Sequence, residues 1–458
     1  MDFKNIKHIY FIGIGGSGLS PLAKMCFKLG IKVSGSDIKE SEETKNLQKQ
    51  GIVVNIGHKK ENIVDNIDLV IFTSAVIGVN PEIEQANKKG IPAFKRDFLV
   101  KELMKEKIGI CVAGTHGKTT ITAMTVHILK YNKIDPSFLI GGISKNYKTD
   151  FGIGKDYFVI EADEFDNAFL ALKPNICCIT SIEMDHPDCF DSLKKYVNSF
   201  KRFIQLVPKN GLVIGCGDWA EIKKILFKTN AKTITYGKNS KNNWYFKNVR
   251  LFPGKSSFDV YNKNKRFDTF ELNIPGEHNI TNALVPIIIG TYLGISKKGI
   301  RQALKKFQGA KRRFDILGKP NNIIIAEDYA HHPTAVYVTL QAALTYNRPV
   351  KAVYEPHQYA RTALLLNDYK GVFNGANKVY LSKIFAARDK DIYSISSKDL
   401  LKIIKKDGID AEYIDDVEKL VKKVVQETKP GELVIVMGVG NGDIIAKKIM
   451  FQLKQINT

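Results

Sequence analysis

The segment CVAGTHGKTTITAM, Cys111 to Met124, constrains the fold more than any other part of the chain. An apolar run leads into Gly114, and TTITAMTVHILKY beyond it has the pattern of a helix. Strand, glycine turn and helix in that order make the phosphate-binding corner of a parallel α/β sheet. Glycines let backbone N–H groups approach an anion, and the helix N-terminus adds a favourable partial charge. A full Walker loop reads G-x-x-x-x-G-K-[ST], but here the early glycine would fall at Val112. What remains is the shorter G-x-x-G-K-T. Lys118 would neutralise nucleotide β- and γ-phosphates, and the Thr119 hydroxyl would reach a magnesium ion. The competing reading is an ordinary strand-to-helix turn that contains a lysine.

The rest of the chain repeats the α/β theme. Short apolar runs alternate with amphipathic helices almost throughout, as parallel sheets require. With 458 residues, more than one core is expected. The pattern divides into three α/β units, at 1–100, 101–311 and 312–458. The first, with its G-x-G-x-x-G turn, is Rossmann-like and the central one is P-loop-like. Within the central unit, NNWYFKNVRLFPGKSSFDVYNKNKRFDTFEL alternates apolar and polar residues around turn signals and predicts added β hairpins.

Composition excludes several classes. The apolar share of 44% and charged share of 25% suit a globular protein, and the longest apolar runs are too short to span a bilayer. The amino terminus runs straight into a strand, so no signal peptide is expected. Six scattered cysteines lack C-x-x-C or zinc spacing and read as reduced thiols of a cytoplasmic protein. The formal charge of +22 raises nucleic acid as a partner. The lysines are spread over many segments without a basic arm, so specific nucleic-acid binding is not expected.

Acidic and histidine residues at later strand ends weigh against the plain-turn reading. VIEADE puts Glu161, Asp163 and Glu164 after one apolar strand, and ITSIEMDH puts Glu183, Asp185 and His186 after another. In a parallel sheet such ends converge on the face that carries the phosphate loop. Hard oxygen ligands there suit magnesium. The amino-terminal GIGGSG fits G-x-G-x-x-G through Gly13, Gly15 and Gly18, and Asp37 closes the next strand. Alone, this turn predicts an NAD-dependent oxidoreductase, though it would hold any pyrophosphate. PGEHNITNA offers Asn279 and Asn282 at a helix start, for capping or for a purine edge. EDYAHHPTAV and YEPHQYARTALL bring Asp328, Tyr329, His331, His332, His357 and Arg361 to the ends of two further strands. With its arginine taken as free, that cluster predicts a site for a small zwitterion or carboxylate.

Taken in order, GIGGSGLSPLA, TSAV, AGTHGKTT, EADEFDNAFL, DHPDCF, GEHNITNA, RRFD, DYAHHPTAV and PHQYARTALL resemble the Mur ligases. These ATP-dependent enzymes build the peptide stem of peptidoglycan, and the shortened loop is the form that the family uses. Among family members, the motif set looks most like the one that adds L-alanine. The resemblance implies a Rossmann-like third domain, with ATP, Mg2+, UDP-N-acetylmuramate and L-alanine as ligands; a monomer or homodimer is expected as the assembly. It turns the first glycine motif towards a UDP-sugar held by Gly13, Gly15, Gly16, Ser17, Gly18, Asp37 and Ser74. His116, Gly141 and Gly142 would line the muramyl end. Gly114, Thr115, Gly117, Lys118, Thr119, Thr120, Asn279, Asn282, Arg313 and Asp328 would hold ATP, with Arg313 on the γ-phosphate. Thr119, Glu161 and His186 would hold metal, and Tyr329, His331, His357 and Arg361 the amino acid. His331 is the candidate base. Three departures bear on the alanine pocket and a neighbouring loop: Gln358 and Ala360 in PHQYAR, Glu327 and Ala330 in EDYAHHP, and Phe165 in EADEFD. Rival readings are a ligase that recycles murein tripeptide onto the same sugar, an NAD oxidoreductase, and a nucleic-acid-dependent ATPase.

Overall fold

In a computed structural model, residues 3–456 are described, except 74, 75, 77 and 388. Three sheets organise the chain. The first contains β1 (His8–Ile12), β2 (Lys32–Asp37), β3 (Val53–Ile56), β4 (Leu69–Phe72) and β5 (Ala93–Lys95). Their order is β3-β2-β1-β4-β5, and all pairs are parallel. Strand order therefore reverses at β1, so the turn at Gly13 opens into the crevice where such sheets bind ligands.

The central sheet has ten strands. These are β6 (Ile108–Ala113), β7 (Ser137–Ser144), β8 (Thr149–Gly152), β9 (Tyr157–Glu161), β10 (Pro174–Ile179), β11 (Leu212–Cys216), β12 (Lys232–Gly237), β13 (Trp244–Phe252), β14 (Lys255–Asn262) and β15 (Lys265–Leu272). They run β15-β14-β13-β12-β11-β10-β6-β9-β7-β8 across the sheet. β6 lies between β9 and β10, parallel to both, so the phosphate loop, the EADE segment and the IEMDH segment all leave the same edge. β13, β14 and β15 are antiparallel hairpins, as the alternation predicts. The helix Lys118–Tyr131 is buried for most of its length between this sheet and the helices that follow β15.

The third sheet contains β16 (Asp315–Gly318), β17 (Ile324–Asp328), β18 (Val350–Tyr354), β19 (Lys378–Leu381), β20 (Ala411–Tyr413) and β21 (Leu433–Met437). Its order is β16-β17-β21-β18-β19-β20, parallel except for β16. The central strands are near-continuous Val/Ile/Ala runs because helices cover both faces. Five of the six cysteines are buried in apolar surroundings, and Cys189 is exposed. Among the described residues, no helix is long and apolar enough to cross a membrane.

Candidate active site

The phosphate loop is a tight turn with its glycines in demanding places. Gly114 has φ of +125°, and a Cβ there would sit 2.1 Å from Thr180 Oγ1. Gly117 also has positive φ and starts the helix that carries Lys118, Thr119 and Thr120. The helix N-terminus is thus open towards a cavity of about 220 Å³. Thr119, Thr120, Asn279, Asn282, Arg313 and Asp328 line this cavity on its polar side. Trp219, Tyr236, Ile274 and Phe314 line it on its apolar side. Trp219, Tyr236 and Ile274 lie in no motif and Phe314 falls inside RRFD without an assigned role, so sequence reasoning missed all four. Asn279 donates to Pro275 O at 2.7 Å and accepts from Asn282 at 3.1 Å, so it fixes the chain around Asn282 instead of capping the helix. Asp328 accepts from the N–H groups of Phe314 and Ala330, both at 2.7 Å, and so ties the linker to β17.

Lys118 is held within the loop. Its ammonium donates to Gly114 O at 2.6 Å and to both Glu164 oxygens at 2.7 and 2.9 Å. Burial opposes ionisation of Glu164, yet Lys118 and His186 bring its carboxyl down to about 2. Thr119 Oγ1 donates to Glu161 Oε2 at 2.8 Å and accepts from Arg313 Nη2 at 3.0 Å. Gly141 N–H donates to the same Glu161 oxygen, and Gly142 packs beside the Thr119 methyl. His186 sits 3.7 Å from Glu164. Burial disfavours its charge, but Asp185 and Glu164 together raise its pKa.

A second cavity, of about 390 Å³, joins all three sheets. Ser17 and Gly18 reach it from the first sheet, Lys118, Glu161 and His186 from the second, and Tyr329, His331, His357 and Arg361 from the third. Asp37 accepts from Gly15 N–H at 2.9 Å and so fixes the first glycine turn, where Gly13 has φ of +83° and Gly16 N–H bonds back to Gly13 O. Ser74 lies outside the described residues. Arg96 also lines this cavity, 3.8 Å from Asp163 and with a buried Nε that lacks a hydrogen-bond partner. Sequence reasoning gave Arg96 no role because it lies in no glycine or acidic motif.

The third-sheet cluster forms, but its arginine is not free. Arg361 Nε donates to Asp185 Oδ1 at 2.9 Å, Nη2 lies 2.8 Å from the same oxygen in an ion pair, and Nη1 donates to His357 Nδ1 at 2.6 Å. Both partners of the pair are almost fully buried. Burial opposes the Asp185 charge, but Arg361 holds its carboxyl well below the usual range. A buried guanidinium without a counter-ion would be costly, which is why Asp185 reaches it from another sheet. Tyr329 lies beneath both Arg312 and Arg313, at 4.9 and 5.1 Å from its ring centre. His331 packs between Tyr329 and His357. Its Nδ1 is 3.0 Å from the Tyr329 carbonyl. Burial and then Arg361 hold its pKa well below the ordinary value. His116 contacts Glu183 at 2.7 Å, and Glu183 also accepts from Thr334 at 2.8 Å across the sheets. His332 completes this group with Nδ1 3.8 Å from Glu183.

The arrangement suits charge neutralisation at phosphate next to a small polar pocket. Three family models match in register with the three sheets: "Mur ligase family, catalytic domain" at 8–108, "Mur ligase middle domain" at 112–290, and "Mur ligase, glutamate ligase domain" at 312–440. The UDP-N-acetylmuramate–L-alanine ligase of Acetivibrio thermocellus is 40% identical over 96% of this chain and 95% of its own. The chain belongs to the Mur ligase family. As a Mur ligase it is an ATP-dependent ligase, and the oxidoreductase and nucleic-acid readings fall away. The crystal structure of UDP-N-acetylmuramate–alanine ligase from Thermotoga maritima superposes with a TM-score of 0.85 at 27% identity, covering 98% of this chain and 99% of that one. A murein peptide ligase from Psychrobacter arcticus shares the fold at a TM-score of 0.71 and 24% identity, with 98% and 99% coverage.

Proposed function

We propose that this Mur ligase joins L-alanine to the lactyl carboxylate of UDP-N-acetylmuramate through an acyl phosphate, with ATP as phosphoryl donor, in cytoplasmic peptidoglycan precursor synthesis. The full-length likeness to enzymes of that name carries the reading. The cavity in which phosphate loop, glycine turn and histidine cluster face one another supports it. In this reading residues 1–100 bind the UDP-sugar, 101–311 bind ATP and 312–458 bind the amino acid. The apolar side of the smaller cavity, with Trp219, Tyr236 and Phe314, suits a purine, and Asn282 its polar edge.

A carboxylate oxygen is a poor leaving group, so the lactyl carboxylate first attacks the γ-phosphorus. Lys118 and Arg313 supply positive charge for the transferring phosphoryl group. Thr119 and Glu161 present hard oxygens to the same space, a donor set that fits one magnesium, and His186 would serve a second. Bound there, the metal would neutralise phosphate charge. The alanine amine then displaces phosphate after losing a proton. Because a carbonyl only accepts, His331 Nδ1 carries the ring proton, which leaves Nε2 as an acceptor. Burial and Arg361 favour the neutral ring, so Nε2 can accept a hydrogen bond from the amine, while the lowered pKa makes it a weak base. Arg361 keeps unused N–H groups for the amino-acid carboxylate while Asp185 fixes its plane.

The test is phosphate release with UDP-N-acetylmuramate and ATP in the presence of different amino components. L-alanine should drive it fastest, with glycine and L-serine slower by one to two orders of magnitude, because a change of one small group on the side chain is worth only about 1–3 kcal/mol. Faster turnover with L-Ala-γ-D-Glu-meso-diaminopimelate would assign the chain to tripeptide recycling instead.

A further inference from the structure

Glu164 takes no part in the roles above, yet it is the most fully enclosed charged group beside the phosphate loop. Its side chain has no exposure, while Lys118 retains 14%. Three groups converge on it. Lys118 donates to both oxygens, the Tyr196 hydroxyl donates to Oε1 at 3.1 Å, and His186 Nε2 stands 3.7 Å away. Tyr196 is itself buried in the helix Leu193–Gln205, wedged against Phe190 and Phe200. The carboxylate is thus anchored by an aromatic wall and shielded from solvent.

We infer that Glu164 is a positioning residue that keeps the Lys118 ammonium in place and aimed at the nucleotide phosphates throughout the reaction. This rests on the nucleotide-site reading above. The alternative is that Glu164 is a parking place which the lysine leaves when phosphate arrives. Donor counting favours the first. An ammonium has three N–H groups, and here they meet Gly114 O and the two Glu164 oxygens. A phosphate oxygen can replace one carboxylate oxygen while the other and the carbonyl stay bonded, so the lysine need not swing out. Removing the carboxylate would leave a buried cation with one short partner, which costs more than the competition it relieves.

The experiment uses the full-length enzyme and a non-hydrolysable ATP analogue with magnesium, measured by titration calorimetry. Glu164→Gln should weaken analogue binding at least 10-fold and lower kcat, while leaving UDP-N-acetylmuramate affinity unchanged. In a Lys118→Ala background the same change should add less than threefold, since the lysine through which Glu164 acts is gone. A general structural defect would not depend on Lys118 in this way. Tyr196→Phe, which keeps the ring and removes only the hydroxyl, should shift analogue affinity in the same direction by a smaller factor. It serves as the test if Glu164→Gln does not fold. Equal or tighter analogue binding by Glu164→Gln, or full additivity with Lys118→Ala, would overturn the inference. If Glu164→Gln does not fold, unchanged analogue affinity in Tyr196→Phe would do the same. Failure of wild type to bind the analogue at all would instead count against the nucleotide site.

Discussion

The two halves of the site are built differently. The phosphate half is assembled within one sheet: β6, β9 and β10 are adjacent, and Lys118, Thr119, Glu161, Glu164 and His186 reach one another without help from elsewhere. Arg313 enters from the linker to the third sheet, and Phe314 and Asp328 reach the adjoining cavity from the same unit. The amino-acid half is assembled across a boundary. Asp185 and Glu183, from the central sheet, hold Arg361 and Thr334 of the third. The phosphate cradle is therefore complete within one domain, although the adjoining cavity also takes Arg313, Phe314 and Asp328 from the third, whereas the proposed alanine pocket needs side chains from two domains. In the proposed mechanism, contact between the central and third domains is a condition for amino-acid binding.

The largest expected effect lies in the phosphate half. Lys118→Ala should lower kcat by about 10³-fold, the scale for losing a preorganised positive donor. UDP-N-acetylmuramate affinity, read by calorimetry, should stay within twofold. Loss of sugar binding with retained ATP turnover would break the division between halves. Next, Arg361→Ala should raise KM for L-alanine by about 100-fold, consistent with the loss of a charge-assisted contact, with little change in KM for ATP. Parallel rises in both constants would mean that the halves are not separable.

How much of this was legible in sequence differs between the same two halves. Gly114, Lys118, Thr119 and Glu161 lie in short motifs on neighbouring strands, so order along the chain already implied their meeting. The sheet architecture followed from periodicity, because burial on both faces leaves continuous apolar strands such as LVIVM. Pairing across domains has no such local sign. Arg361 read as free because Asp185 is distant in sequence and approaches only through the tertiary fold. Trp219, Tyr236 and Phe314 are apolar residues among many, and only their shared cavity separates them from core. Arg96 likewise owes its place to the orientation of the first sheet.

A smaller effect concerns acid. Burial, and then nearby His116, lower the pKa of His332 to about 4, with Glu183, Asp185 and Arg361 also facing it. A histidine whose folded pKa is depressed takes up protons more readily when unfolded. Its contribution to stability is intact above about pH 6.5 and is lost as pH falls from there towards 4. His332→Gln should remove about 1–2 kcal/mol of the stability difference between pH 7 and pH 5, by urea titration. An unchanged acid limb would show that His332 is not protonated on unfolding in that range. Smallest of all, Thr334→Val deletes one hydrogen bond to Glu183 and should raise KM for L-alanine about threefold to tenfold, the equivalent of roughly 1 kcal/mol.

The measurement that bears most directly on the cross-boundary pocket is a double-mutant cycle on Asp185→Asn and Arg361→Ala, read as KM for L-alanine and, separately, as affinity for an ATP analogue. Residues in contact couple by about 0.5–3 kcal/mol. A coupling of that size should appear in the alanine constant, with the nucleotide affinity of both single variants within threefold of wild type. Additive effects on L-alanine, or an equal loss of nucleotide binding, would contradict an amino-acid pocket that is completed from the neighbouring domain.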